Sequence, residues 1–208
     1  MKYCITLLFL FLFVSSSRAG CPTDIPPSFP GWTSFTRTHI SIPGTTCLFT
    51  LKICTRTVSG KLQFYIDQIM PESSDCDSFT LNDLIAAADE YLNQLILANP
   101  CEDGLAPTIR NIFHGACAKF SIDPETHLVA MEFCSAAYCI NECKICYDPV
   151  LGRNILFDCS VTVLNSPDCE ASPFPVPLLS AHWGDFGNLL WPWTPGQCYL
   201  TSCASQGE

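Results

Sequence analysis

Apolar and polar residues alternate along two separate stretches of the chain, and each stretch predicts a β-hairpin with one buried face. The apolar positions of the first stretch are Cys47, Phe49, Leu51, Ile53, Leu62, Phe64 and Ile66. Those of the second stretch are Cys139, Cys143, Ile145, Tyr147, Ile155, Phe157, Cys159, Val161 and Val163. Between the first two strands, residues 58–60 predict a three-residue loop with Gly60 in the left-handed conformation.

The two predicted hairpins belong to an internal repeat, in which residues 47–76 recur as residues 139–169. Aligned without a gap, the copies share the pairs Cys47/Cys139, Lys52/Lys144, Ile53/Ile145, Cys54/Cys146, Val58/Val150 and Gly60/Gly152. A later cysteine, Cys76 or Cys169, closes each copy. The repeat therefore predicts an architecture, but it indicates no activity.

One helix is predicted after the first hairpin, where apolar residues recur at helical spacing. Those residues are Leu81, Leu84, Ile85, Ala88, Leu92, Leu95 and Ile96. Thr80 and Asp83 form a candidate capping box, and the pair Asn99-Pro100 is expected to stop the helix. The other face carries the polar residues Asp83, Asp89, Glu90, Asn93 and Gln94. We expect an amphipathic helix that covers a sheet.

Residues 108–120 fit either a short helix or a strand. The turn at residues 123–126 leads into an alternating segment, 128–134, and this order favours a second pair of strands.

These elements predict an α+β fold. Its centre is a disulfide-rich antiparallel β-sheet built from the two pseudo-repeated hairpins, with one amphipathic helix and with an irregular N-terminal arm and C-terminal tail. The predicted segments are a signal peptide (1–19), a Pro-rich extended arm (20–45), the disulfide-stapled domain (46–170) and a Pro/Trp-rich tail (171–208). Proline excludes the tail from central strands.

Residues 1–19 have the form of a secretory signal, with Lys2, an apolar stretch from 5 to 14 and small residues at 17 and 19. That stretch is too short to span a bilayer, and we expect no transmembrane segment later in the chain. In a competing interpretation Cys21 is a lipidated residue, but Arg18 and the parity of the cysteines argue against it. Removing Cys4 with the signal leaves an even 14 of the 15 cysteines, in 189 of the 208 residues.

This cysteine content favours an oxidising compartment, so we expect a secreted or cell-surface protein, exported through the periplasm if it is bacterial. Losing Lys2 and Arg18 changes the formal net charge from −10 to −12. That sign disfavours nucleic acid and anionic membranes as partners.

The cysteine spacing predicts one particular bridge. A three-residue loop in the first hairpin, carried to the second, sets Cys143 opposite Cys159, and both cysteines are absent from the first copy. Cys54 and Cys146 lie on the face opposite the apolar one, so they should meet a covering segment. The candidates for that role are Cys21, Cys101, Cys117, Cys134, Cys198 and Cys203.

Cys134, Cys139, Cys143 and Cys146 also raise a metal or iron–sulfur interpretation, but their spacing fits no ferredoxin pattern. Redox chemistry by Cys143 and Cys146 is a weaker alternative. Hydrolase, kinase and dinucleotide motifs are absent from the sequence, and the most site-like cluster, residues 182–185, is more typical of tail packing. We therefore predict no catalytic residue, metal or cofactor.

The sequence favours a secreted, cysteine-rich, non-enzymatic binding or structural protein. Trp183, Trp191 and Trp193 are the candidate contacts to a protein partner or to another copy of the chain. Two alternatives stay open, a subunit of an extracellular fibre or sheath, and an extracellular hydrolase that acts through two carboxylates.

Overall fold

The computed structural model describes residues 20–26, 31–72, 74–76, 79–102, 104–122, 129–134, 137–165, 167, 169–173, 198–201 and 203. The predicted signal at 1–19, the cluster at 182–185 and the candidate contacts Trp183, Trp191 and Trp193 lie outside these residues.

The described part of the chain is rich in sheet and has a single α-helix, so the coarse class is α+β. The strands are β1 (Thr33–Ser41), β2 (Leu48–Val58), β3 (Lys61–Pro71), β4 (Thr108–Gly115), β5 (Cys117–Ile122), β6 (Val129–Phe133), β7 (Tyr138–Asp148), β8 (Arg153–Leu164), β9 (Glu170–Pro173) and β10 (Tyr199–Leu200). Helix α1 is Leu81–Gln94, and a 3₁₀ turn covers Ser74–Cys76. The segment 108–120, which the sequence left open, is thus strand.

The long strand β3 is the centre of a branched sheet. On one side it pairs with β2, which pairs with β1. On the other side its first half, Leu62–Tyr65, pairs with β4, and its second half pairs with β6 at Gln68 and Ile69. One branch continues as β4–β7–β8, and the other continues as β6–β5–β10–β9.

The expectation of a purely antiparallel sheet is wrong at two places, because β3 pairs with β4 in parallel and so does β9 with β10. Between β3 and β4 the chain passes through α1. A crossover of this kind returns a strand in the same direction as the one before it.

The β2–β3 hairpin has a shorter turn than the sequence predicted, and the β7–β8 hairpin has a longer one. In the β2–β3 hairpin Val58 pairs with Lys61, so the loop has two residues, Ser59 and Gly60, with φ of 50° and 78°. A two-residue turn with positive φ at both central residues matches the twist of the two strands that it joins. In the β7–β8 hairpin Asp148 pairs with Arg153 across a four-residue loop. The predicted register at each turn was therefore off by one residue.

Part of the expected irregular arm is a regular edge strand, because β1 pairs with β2 from Thr33 to Ser41. Its threonines and Phe35 suit a half-exposed pleated surface, and the free edge of β2 supplies the hydrogen-bonding partners. Residues 21–26 and Trp32 lie instead on the face of the sheet away from the helix, where Ile25 and Trp32 pack with Tyr65 and Phe113.

Helix α1 covers the other face. Thr80 caps it, since the Asp83 amide donates to Thr80 Oγ1 and the Thr80 amide donates to the Asp83 carboxylate. The main core between helix and sheet contains, among others, Phe49, Leu51, Ile53, Ile66, Leu84, Ala88, Leu92, Ile112 and Phe120. No helix in the described segments is long and apolar enough to cross a membrane.

Seven disulfides staple the fold, a content typical of secreted proteins. They are Cys21–Cys54, Cys47–Cys76, Cys101–Cys146, Cys117–Cys169, Cys134–Cys198, Cys139–Cys203 and Cys143–Cys159. Cys47 and Cys76 are bonded to each other, whereas their aligned residues Cys139 and Cys169 have partners elsewhere.

Candidate binding pocket

A pocket of about 650 Å³ lies between helix α1 and the β7–β8 hairpin. This volume falls in the range of small-molecule sites, roughly 300 to 1,000 Å³. The last turns of the helix form one wall, β4 and β7 form the floor, and the first residues of β8 form the other wall.

A buried ion pair forms the floor. Arg110 Nη2 on β4 donates to Asp89 Oδ2 on α1 at 3.1 Å, and Arg110 is 0% exposed. Asn141 on β7 joins the pair, since its carbonyl oxygen accepts from Arg110 Nη1 at 3.0 Å and its Nδ2 donates to Asp89 Oδ2 at 3.3 Å. Three elements are therefore locked together by one polar network.

Burial acts on both charges of this pair. It raises the pKa of the Asp89 carboxyl and lowers the pKa of the Arg110 guanidinium, while the mutual attraction of the two groups opposes both shifts. The cost of desolvation makes such a pair a weak source of stability, but breaking it by removing one partner is costly.

Several polar atoms of the lining residues are buried and have no hydrogen-bond partner within the described protein. These atoms are Asp89 Oδ1, Asn93 Oδ1, Arg110 Nε and Asn154 Oδ1. A buried polar group without a partner costs roughly 1 to 3 kcal/mol, so such groups are rare unless they have a use. Four of them around one pocket mark it as the candidate site.

Asn154 holds the hairpin against the end of the helix. Its Nδ2 donates to the carbonyl oxygens of Asn93, at 2.7 Å, and Ile96, at 2.8 Å. The two carbonyls fix the orientation of the amide, because only its nitrogen can donate to them. The remaining group, Oδ1, is an acceptor of fixed position.

The rim is mixed in charge and partly apolar. Glu90, Gln94 and Arg153 are exposed at the rim, and Phe157 is 38% exposed beside them. The disulfide between Cys143 and Cys159 completes the lining, with Cα atoms 4.2 Å apart. Among the candidate site residues that the structure describes, only these two cysteines line the pocket.

Sequence reasoning missed the pocket residues themselves. The sequence places Asp89 and Asn93 on the polar face of the helix, opposite its apolar face, but both are buried. Arg110 was not among the predicted site residues, although a lone arginine between Ile109 and Ile112 is unusual in a buried strand. That charge, together with an acid next to Ala88 on the helix, was the available signal.

A second polar cluster lies on the face away from the helix. Asp67 on β3 is buried near Glu132 on β6, and burial followed by the charge of Glu132 raises the pKa of Asp67 to about 6, against the lowering effect of Lys52. Gln68 Nε2 donates to Glu132 at 3.1 Å, and Lys119 lies 3.6 Å from the same carboxylate. These contacts hold β3, β5 and β6 together, and this structural role explains the cluster.

No cysteine in the described residues has a free thiol that could act as a thiolate. Cys134, Cys139, Cys143 and Cys146, the set considered for a metal or cluster, are bonded to four different cysteines. In the same residues, no group of three or more His, Cys, Asp or Glu side chains is arranged to hold a metal ion.

Comparison with known proteins names no relative. No protein-family model matches the chain, and no curated protein or solved structure is significantly similar to it.

Proposed function

We propose that this chain is a secreted, cysteine-rich, non-enzymatic binding protein that works in the extracellular space or at a cell surface. Its binding site is the pocket between α1 and the β7–β8 hairpin. The observation that carries the proposal is the set of unpartnered polar atoms on Asp89, Asn93, Arg110 and Asn154 around an open cavity. These atoms are buried, so a ligand that bonded them would first have to move the side chains around them, and it would then recover the cost of their burial.

The scaffold suits this role. Seven disulfides and the ion pair on the floor restrict the motion of the walls, so the ligand would meet a preformed site. We infer that residues 1–19 are the export signal and that the β2–β3 and β7–β8 hairpins derive from one repeated unit. In support of the repeat, both hairpins change register part-way, between Lys52 and Ile53 in one and between Glu142 and Lys144 in the other.

The test is a fragment screen by ligand-observed NMR on the full chain, purified from a secretory host with its disulfides intact. We expect binders that are lost in Asn93→Leu, a change of similar volume that removes one unpartnered oxygen from the pocket. Asn111→Leu is the matched control. Asn111 is also buried with an unpartnered Oδ1, but it follows Arg110 on β4 and therefore points to the opposite face. Binders that persist in Asn93→Leu would place the site elsewhere and refute the proposal.

A second candidate, a subunit of an extracellular fibre or sheath, is favoured by the outer edge of β8. This strand has 12 residues, and among the described strands it pairs only with β7. Val163 on it is 50% exposed. A long unpaired edge is a template for strand addition by another chain.

Analytical ultracentrifugation separates the two candidates. A fibre subunit should associate as concentration rises, and Val163→Lys in β8 should reduce that association because a lysine on an edge strand disfavours pairing with another chain. Val150→Lys in the hairpin loop is the control. A monomer at all concentrations would count against the fibre.

The hydrolase alternative needs two carboxyl groups with raised pKa in one cleft. The carboxyl groups with raised pKa in the described residues are Asp67 and Asp89, which lie on opposite faces of the sheet. No observation favours this alternative, and we do not propose it.

A further inference from the structure

We propose that the Cys143–Cys159 disulfide is a site of thiol–disulfide exchange, and that its reduction frees the β8 wall of the pocket while the fold stays intact. The proposal concerns the bond and the wall, so it does not depend on whether the pocket binds a ligand. It follows from the position of the bond in the sheet, from the exposure of one of its cysteines and from the cation beside the other.

This disulfide differs from the other six in where its ends lie. Cys143 is in β7 and Cys159 is in β8, which are neighbouring strands, whereas each of the other six bonds has at least one cysteine outside the described strands. Strand β7 pairs with β8 on both sides of the bond, over residues 138–142 and 144–148. Opening the bond therefore releases no segment of the chain from the sheet.

The same bond closes the shortest loop. Its two cysteines are 16 residues apart, and those of the other six bonds are 29 to 64 residues apart. On the chain-entropy estimate, the stabilisation by a disulfide grows with the length of the loop that it closes. The Cys143–Cys159 bond therefore contributes least of the seven, and the fold tolerates its loss best.

The two cysteines differ in their access to solvent. Cys159 is exposed on the edge strand, whereas Cys143 is 1% exposed. Both line the pocket between α1 and the hairpin. Thiol–disulfide exchange begins with the attack of a thiolate on a sulfur that it can reach. Cys159 Sγ is therefore the sulfur that an external thiol attacks, and Cys143 Sγ is the leaving group.

The leaving sulfur lies beside a cation. Cys143 pairs directly with Arg110 on β4, and residues opposed in this way point to the same face, with Cβ atoms about 4.5 to 5.5 Å apart. Asp89 accepts from Arg110 Nη2, but the buried Nε has no partner in the described residues. A neighbouring cation stabilises a thiolate, and a more stable thiolate is a better leaving group. Arg110 therefore favours the release of Cys143.

The exchange requires a thiol as co-reactant, which is either a small molecule or the dithiol of an oxidoreductase. Its thiolate attacks Cys159 Sγ and forms a mixed disulfide, while the bond to Cys143 breaks and Cys143 leaves as a thiolate that takes up a proton from water. A second thiolate then attacks the external sulfur of the mixed disulfide and releases Cys159. In total, two thiols are oxidised to one disulfide, and the Cys143–Cys159 disulfide is reduced to two thiols.

Reduction removes a constraint on the β-bulge next to the bond. Asp158, which precedes Cys159, has a φ of 49°, in the left-handed region that is unfavourable for a residue with a Cβ. Without the bond, Asp158 is free to return to extended backbone and the bulge to flatten. Because residues 153–157 line the pocket, this change moves the β8 wall.

Disulfide mapping during partial reduction tests the exchange step. The full chain with its disulfides intact is incubated with reduced glutathione in one arm and with reduced thioredoxin in the other. Samples are quenched with acid, and the free thiols are alkylated and located by peptide mass mapping. We expect the Cys143–Cys159 bond to open about tenfold faster than any other in at least one arm, which also identifies the kind of thiol. The near-ultraviolet circular dichroism should stay native at that stage.

The Cys101–Cys146 bond is the matched control within the same molecule. Cys101 is also exposed, so exposure alone would open both bonds at similar rates. In the glutathione arm the mixed disulfide should form on Cys159. Equal rates for the two bonds, earlier opening of another bond, simultaneous loss of all seven or an adduct on Cys143 would each overturn the proposal.

Hydrogen exchange tests the effect on the wall. In the double variant Cys143→Ser, Cys159→Ser, amides of residues 155–161 should exchange about tenfold faster than in the parent protein, while those of β3 keep their protection. In the control variant Cys101→Ser, Cys146→Ser, the faster exchange should be confined to residues 99–102. If residues 155–161 keep their protection in the first variant, the bond does not control the wall and the proposal is wrong.

Discussion

Cys143 and Cys159 are bonded to each other across a β-bulge. Glu142 pairs with Ser160 and Lys144 pairs with Phe157, so one residue of β7 faces two residues of β8, of which Asp158 has a φ of 49°. A bulge bends its strand and increases the local twist. The Cys143–Cys159 disulfide stabilises this bend, which shapes the β8 wall of the pocket.

Removing this bridge should lower stability without unfolding the protein. For cysteines 16 residues apart, the chain-entropy estimate of its contribution is about 3 kcal/mol. We expect the double variant Cys143→Ser, Cys159→Ser to lose about that much free energy of unfolding in urea titrations. Single variants should lose at least as much, since each leaves a free thiol. An unchanged urea midpoint would mean that the bulge keeps its shape without the disulfide.

The sequence contains enough to predict this bridge but not the strand register. Both cysteines are missing from the first hairpin, and this paired absence marks them as partners. The predicted register was off by one at the turn between Asp148 and Arg153, and the bulge at Asp158 moves it back before Cys143. Turn length and bulge position depend on tertiary packing, which alternation alone does not report.

The helix, by contrast, could be predicted from local signals. The capping box of Thr80 and Asp83 and the apolar spacing lie within one short segment. The pocket could not be predicted, because Asp89 and Arg110 belong to different elements and meet only when the helix folds back on the sheet. The sequence could not predict β1 for the same reason, because this strand forms by pairing with the edge of β2.

The ion pair of Asp89 and Arg110 should show strong coupling. Arg110→Met alone leaves a buried carboxylate without its partner, and we expect a loss of about 3 to 5 kcal/mol. The double variant Asp89→Leu, Arg110→Met removes both charges and should recover most of that loss. A double-mutant cycle in urea measures the coupling. Additive losses from the two single changes would contradict a paired role.

Asp67 should destabilise the protein at neutral pH. Its pKa is raised to about 6, above its usual value of 3.8, so the folded state binds the extra proton and stability falls as pH rises from about 4 to 6. At pH 7 the full cost is present, and Asp67→Asn should raise the free energy of unfolding by roughly 3 kcal/mol. Asp158→Asn removes an exposed charge paired with Lys144 and should change it by less than about 1 kcal/mol. Equal effects of the two variants would refute the burial argument.

His114 should have the opposite dependence in nearly the same window. Burial lowers its pKa from 6.5 to about 4, against the raising effect of its hydrogen bond to the Gly115 carbonyl. The unfolded state therefore binds more protons between pH 4 and 6.5, and stability is lost as pH falls through that range. His114→Asn, whose amide can keep the hydrogen bond, should remove this loss.

The opposing slopes of Asp67 and His114 make a paired test. The parent protein should have a shallow profile of stability against pH between 4 and 6. Stability should rise with pH in Asp67→Asn, where His114 acts alone, and fall with pH in His114→Asn, where Asp67 acts alone. Thermal melts at four pH values distinguish these slopes. Parallel profiles for all three proteins would show that neither group is perturbed.

Arg56 should control how tightly the N-terminal segment lies on the sheet. Its guanidinium donates to the carbonyl oxygens of Ile25 and Pro26, at 3.1 and 3.3 Å, and lies 4.1 Å from the Trp32 ring centroid. Lysine keeps the charge but lacks the planar fork that makes these contacts together. Because the Cys21–Cys54 bond still anchors the segment, we expect Arg56→Lys to change global stability little.

The difference should appear in local hydrogen exchange. In Arg56→Lys, amides of residues 23–25 should exchange about tenfold faster, since opening then breaks fewer contacts, while those of β3 keep their protection. Arg37→Lys is the matched control, because the Arg37 guanidinium lies over the Phe35 ring on the edge strand β1. Unchanged exchange in Arg56→Lys would assign the ordering of the segment to the disulfide and to the burial of Ile25 alone.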